Sequence, residues 1–68
     1  MAIVKIRELI GTSDKSFEDA LSQIVQSEAK KGKQVTGARI TGQTVEIKDG
    51  KIVEYRVNAK VAYLWKEE

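Results

Sequence analysis

Lys48-Asp49-Gly50-Lys51-Ile52-Val53-Glu54-Tyr55-Arg56-Val57-Asn58-Ala59-Lys60-Val61-Ala62-Tyr63-Leu64-Trp65 is the stretch that decides the fold. Every odd position from Val53 to Trp65 is apolar, while Glu54, Arg56, Asn58 and Lys60 are polar. Side chains alternate across a strand, so this is one long strand with a fully apolar face. Its other face turns apolar only at Ala62 and Leu64. At its start, Asp49-Gly50 lies between two β-patterned stretches, the signature of a tight hairpin. The preceding stretch is therefore its antiparallel partner.

In that partner the apolar parity slips. Val35 is odd, Ala38 and Ile40 even, Val45 and Ile47 odd. Gly37 and Gly42 lie in this run, so bulges or bends are expected there. An unbroken ladder from Lys48 and Lys51 would set Gln43 opposite Arg56 and bring Gly37 near Ala62.

Farther upstream the period changes from two to 3.6. Phe17, Ala20, Leu21, Ile24 and Val25 form one apolar stripe at helical spacing. Ser16 can cap the helix, and Asp19 three residues on approximates a capping box. Glu18 and Asp19 in the first turn and Lys30 and Lys31 in the last complement the helix dipole. Gly32 supplies the stop. Before the helix, Ala2 to Ile10 is dominated by β-branched residues and reads as a strand closed by Gly11, with Thr12-Ser13-Asp14 as a polar loop.

The order is thus β-α-β-β, an α+β fold. Antiparallel pairing throughout requires the third strand to lie between the other two, giving a three-stranded sheet of order 1-3-2. A helix of about 15 residues is too short to cover a strand of similar residue count, because helices rise less per residue. The overhang Val61 to Trp65, apolar on both faces, is expected to stay uncovered and to meet a partner.

The 68 residues suffice for one small domain, and so small a core is marginal alone. Hydrophobic residues at 41% and charged residues at 32% give a globular balance. With no Cys and no His, the chain has no disulfide, no ordinary zinc site and no Ser-His or Cys-His nucleophile pair. Oligomerisation is the remaining source of stability. A net charge of +2 is too slight to argue for nucleic acid. No apolar run is long enough to span a bilayer, and Met1-Ala2-Ile3-Val4 does not begin a signal peptide. A cytoplasmic location without membrane or nucleic-acid partners is the expectation.

Each chemical motif has a plainer reading. Gly32-Lys33 and the five-residue spacing of Gly32, Gly37 and Gly42 faintly suggest a phosphate loop, but the stretch follows a helix instead of preceding one. Lys30, Lys31 and Lys33 offer cations for phosphate, although a basic helix end accounts for them. Asp14, Glu18 and Asp19 supply oxygens for a hard cation, but capping and solvation explain them. Tyr63 and Trp65 offer rings to a planar ligand, and interface packing is the simpler role.

Glu8-Leu9-Ile10-Gly11-Thr12-Ser13, followed by Lys15-Ser16-Phe17-Glu18-Asp19-Ala20, resembles the strand-to-helix signature of the dodecins. Glu54-Tyr55-Arg56-Val57-Asn58-Ala59-Lys60-Val61 resembles their final strand. The likeness covers nearly the whole chain. It implies a single dodecin-like domain over residues 1–68, with the sheet wrapped around the helix. It further implies a hollow homododecamer with sheets inward and helices outward. Many dodecins bind flavins in pairs, with a Trp on the second strand stacking on the ring and a Gln on the third hydrogen-bonding to it. Those positions fall at Gly37 and Arg56 here. Glycine has no ring to stack, and arginine has donors but no acceptor. The resemblance therefore implies a non-enzymatic, shell-forming small-molecule-binding protein with flavin binding weakened or lost. A small anionic or flavin-like ligand is expected, since Arg56 adds positive charge. The alternative is a riboflavin or FMN storage or buffering protein using altered contacts.

Overall fold

The computed structural model describes residues 2–67, with side chains described through residue 65. Met1, the first residue of the start read above, lies outside them. The chain runs β1 (Ala2–Ser13), α1 (Phe17–Lys30), β2 (Gln34–Lys48) and β3 (Lys51–Glu67). All pairing is antiparallel and the sheet order is β1-β3-β2, as the hydrophobic pattern requires. The β2–β3 turn places Asp49 at φ 53° and Gly50 at φ 74°. Two successive positive φ values are what a two-residue turn between right-twisted strands needs.

β2 and β3 do not pair as an unbroken ladder. Lys48 faces Lys51 and Gly37 faces Ala62, as expected, but Thr44 rather than Gln43 faces Arg56. An extra residue in β3, Val53, shifts the register early, and an extra residue in β2, Thr41, shifts it back. A third bulge at Thr36 follows. The two β2 bulge residues turn their hydroxyls onto the ladder: Thr41 donates to the Asn58 carbonyl at 3.2 Å and Thr36 to that of Ala62 at 3.5 Å. The bulges lie beside Gly37 and Gly42, where the parity slips.

β1 is longer than its sequence suggests. Gly11, Thr12 and Ser13 continue the strand, paired with Val57, Arg56 and Tyr55, so the expected Thr12–Asp14 loop begins only after Ser13. Gly11 does not end the strand; it lets the helix touch it. A Cβ there would lie 2.6 Å from both the Ala20 carbonyl oxygen and Ile24 Cγ1. Glycine is needed for close approach.

α1 packs mainly on β1 and β3. Ala20, Ile24, Val57, Ala59 and Val61 form the buried core, with Leu9, Phe17, Leu21 and Val35 packed around it. Phe17 meets Tyr55 edge to face at 5.1 Å. Val61 is fully buried, which corrects the expectation that the strand from Val61 onward is uncovered. The α1–β2 connection reaches farther than the helix alone, setting the Lys33 ammonium 4.7 Å from the Tyr63 ring. Trp65 remains 57% exposed.

Candidate functional site

Residues of the same row on the three strands point to one face. Lys5, Arg7, Leu9, Gly11 and Ser13 of β1 face the helix side, opposite the odd residues of β3 from Tyr63 to Tyr55. The other face is open. It carries Val4, Ile6, Glu8, Ile10 and Thr12 of β1 against Leu64, Ala62, Lys60, Asn58 and Arg56 of β3. Ala62, Lys60 and Arg56 are in turn opposite Gly37, Arg39 and Thr44 of β2. Gly37 and Arg56 therefore share this open face. Their rows are six residues apart along β3, about 20 Å at strand spacing. One small ligand cannot touch both within one chain. Arg56 is held by its own strand, with Nη2 at 2.9 Å from the Glu54 carboxylate.

On the helix side, the Gly-Thr-Ser…Ser-Phe-Glu-Asp run forms a strand-to-helix joint. Ser13 Oγ donates to the Asp19 carboxylate at 2.6 Å and accepts from Lys15 N–H at 2.9 Å. Ser16 Oγ caps α1, accepting from Asp19 N–H at 2.9 Å. The capping box is half formed: Asp19 turns to Ser13 and to Gln23, whose amide donates at 3.0 Å. The Ser13 hydroxyl and then the Gln23 amide hold the Asp19 carboxyl below its ordinary value against some desolvation. Asp19 is thus spent on the joint. Among the described residues no three acidic side chains are placed to hold a metal ion, so Asp14, Glu18 and Asp19 are not brought together as a cation site.

The basic helix end turns inward. Lys33 Nζ lies 2.8 Å from Glu28 Oε2, and Lys31 and Arg7 each approach Oε1 at 3.6 Å. The Glu28 side chain is 1% exposed. Lys33 makes a close ion pair, yet Oε2 receives no hydrogen bond of good geometry. The Lys33 ammonium beside it, helped by Lys31 and Arg7, holds the Glu28 carboxyl below its ordinary value despite burial. Sequence reading passed over Glu28. It falls four residues after Ile24 on the apolar stripe, and an acid at such a position must be paired. A hollow of about 240 Å³ beside it, between α1 and β1, is lined by residues including Leu9, Gly11, Ser27 and Lys31.

Tyr63 and Trp65 are both covered by cations. Lys33 covers Tyr63, and Lys5 Nζ stands 3.7 Å from the Trp65 ring centre. Trp65 is the extra residue where β3 skips register against β1, between Leu64 opposite Val4 and Lys66 opposite Ile3.

One helix clasped on a three-stranded antiparallel sheet of order 1-3-2, with the second sheet face open, defines a small α+β sheet-wrap protein. The dodecin family model matches residues 3–66, and the chain belongs to the dodecin family. Among solved structures, dodecin from Streptomyces coelicolor is 19% identical, with a TM-score of 0.90, covering 98% of this chain and 96% of that one. The tt0972 protein from Thermus thermophilus is 22% identical, with a TM-score of 0.91 and 100% of both chains covered. Calcium dodecin from Mycobacterium tuberculosis, described as a calcium-chelating antigen with a novel calcium-binding site, is 29% identical. Its TM-score is 0.80, with 94% of this chain and 91% of that one covered. No curated protein matches the sequence.

Proposed function

We propose that the chain acts as one dodecin-like domain over residues 1–68 that closes into a hollow shell of twelve copies in the cytoplasm. In this reading it is a non-enzymatic binder of a small molecule, and its flavin binding is weakened or lost. One observation carries the reading. The two flavin-ligand positions implied by the resemblance hold Gly37, which has no side chain, and Arg56, which is already paired with Glu54. An aromatic pair is worth about 0.5–1.5 kcal/mol beyond burial, and Gly37 forgoes that stacking. Assembly is supported by large apolar side chains left exposed on a small chain, among them Ile6, Ile10, Ile47 and Ile52.

A second reading, flavin storage through altered contacts, draws on Trp65, an exposed ring at the end of β3. Riboflavin titration followed by fluorescence quenching separates the two. The expected result is weak or no quenching with the unaltered protein, and quenching restored by Gly37→Trp with Arg56→Gln. Tight riboflavin binding by the unaltered protein overturns the first reading in favour of the second. Light scattering tests the shell, and a folded monomer at micromolar concentration overturns it.

A further inference from the structure

The basic helix end holds more positive charge than its carboxylate balances. Arg7, Lys31 and Lys33 surround Glu28, three cations on one acid. Lys33 is the close partner at 2.8 Å, and its ammonium also lies over the Tyr63 ring. Arg7 and Lys31 stand off at 3.6 Å, both from Oε1, beyond hydrogen-bond reach. Their side chains are 46% and 51% exposed, so both present their charge to solvent. Sharing one oxygen, the two nitrogens are no farther apart than twice 3.6 Å. Two oxygens of one phosphate span such a gap. An open helix C-terminus would oppose an anion nearby. Here the Glu28 and Ala29 carbonyls already accept from the N–H groups of Lys31, Gly32 and Lys33.

The hollow of about 240 Å³ between α1 and β1 lies beside this cluster, and Glu28 and Lys31 belong to its wall. Leu9 and Ile24 make its apolar back, while Thr12, Gln23 and Ser27 are exposed along it. The Gln23 amide nitrogen is taken by Asp19, which leaves its carbonyl oxygen free to accept. At roughly 30 Å³ per water, the space holds about eight waters, enough for a short polyol and too little for a fused ring system.

We infer that this hollow binds a small phosphate monoester with a short polyol body, its phosphate between Arg7 and Lys31 and its hydroxyls on Thr12, Gln23 and Ser27. A phosphate monoester carries about −1.5 to −2 charges at neutral pH, which matches the two positive charges that Glu28 leaves unbalanced. The arginine fork grips two phosphate oxygens, and the lysine adds a point charge. Buried Glu28 holds both cations in place from behind. Neither the shell nor the flavin positions are needed for this site. All its residues belong to one chain, and Gly37 lies on β2, across β3 from the hollow.

The test is calorimetric titration of the full chain at low salt with glycerol 3-phosphate, inorganic phosphate and glycerol. Glycerol 3-phosphate should bind about tenfold tighter than inorganic phosphate, the scale of one or two added hydrogen bonds, and glycerol should not bind measurably. Arg7→Gln and Lys31→Gln should each weaken the ester several-fold, whereas Lys31→Arg should keep it. The ester should raise the melting temperature of the parent and not that of Lys31→Gln. Ser27→Leu fills the hollow from an exposed helix position, so it remains a test where a charge variant fails to fold. It should abolish the preference for the ester while inorganic phosphate still binds. Equal affinity for the ester and inorganic phosphate, unchanged ester binding by Arg7→Gln and Lys31→Gln, or a preference that survives Ser27→Leu each overturns the inference. Gly37→Trp with Arg56→Gln should leave ester binding unchanged, and its loss there would move the ester to the flavin positions and overturn this site. Ester binding by a protein that light scattering finds monomeric overturns the shell and leaves the hollow standing. A shell that ignores the ester does the reverse.

Discussion

On the helix side of β3, Val57, Ala59 and Val61 are fully buried against Ala20 and Ile24, while on its other side Arg56 and Lys60 stay exposed. The two sides alternate along one strand and share its backbone, so the difference comes from what covers each. The covered side is tight enough that one added carbon at Gly11 would collide with the helix. The open side is loose enough that one at Gly37 would meet nothing. Stability is concentrated on the first side, and the second is left open.

Gly11→Ala breaks the comparison most severely. The new methyl would sit 2.6 Å from the Ala20 carbonyl oxygen and from Ile24, so α1 must move off β1. Overpacking of this kind costs about 3 kcal/mol at its upper range, and urea denaturation should show the loss. A variant as stable as the parent would mean that the helix does not seat on Gly11.

Glu28→Gln probes the charged rim of the same side. The buried carboxylate loses its charge while Lys33, Lys31 and Arg7 remain, at a cost of about 2 kcal/mol at neutral pH, within the range for a bond to a charged group. The native carboxyl is held below the ordinary value of 4.5, so its contribution is complete above that pH. It is lost as pH falls through the lowered native value. Asp19, also lowered, adds to the same acid loss. Melting temperature against pH should therefore fall less steeply below 4.5 for Glu28→Gln than for the parent protein. Parallel curves would show that the Lys33 pair does not stabilise the fold.

Gly50→Val moves to the far end of the hairpin, where nothing packs. A Cβ at Gly50 meets no atom within 4 Å, so any loss comes from its φ of 74° alone. That strain is about 1–2 kcal/mol for a residue with a side chain. Lys48→Val, next to the turn but in ordinary strand conformation, should cost less in the same melting experiment. Equal losses would refute the turn.

The alternation of β3 was legible because one face is covered and the other is largely polar, and Asp49-Gly50 fixed its partner. With those two facts the strand order followed. The end of β1 was misread because Gly11 looks like punctuation, whereas its reason is a helix arriving from elsewhere in the chain. Val61 was misjudged for a related cause: comparing element lengths does not say where the helix sits, and the structure places Val61 in one core with Ala20 and Ile24. The bulge at Val53 carries no glycine or parity break in β3, so only the paired coordinates expose it. At the candidate site, Gly37 was expected near Ala62 and lies there, whereas Arg56 was expected opposite Gln43 and faces Thr44, one residue away. The Arg39–Lys60 row was passed over although an unbroken ladder from Lys48 and Lys51 already sets the two opposite each other, because the bulges at Val53 and Thr41 cancel before that row.

Gly37→Ala should have the smallest effect, and its sign is the informative part. Gly37 lies beside the Thr36 bulge but has no positive φ, and its Cβ direction is empty. Where glycine is not required by conformation or contact, alanine stabilises by about 0.4–1 kcal/mol by restricting the unfolded chain. Urea midpoints of Gly37→Ala and Gly11→Ala should therefore move in opposite directions from the parent. Should the chain close into the proposed shell, this experiment also reads the open face. A gain then shows that the space above Gly37 stays free in that shell. A loss comparable to that of Gly11→Ala shows that a neighbouring copy already fills it.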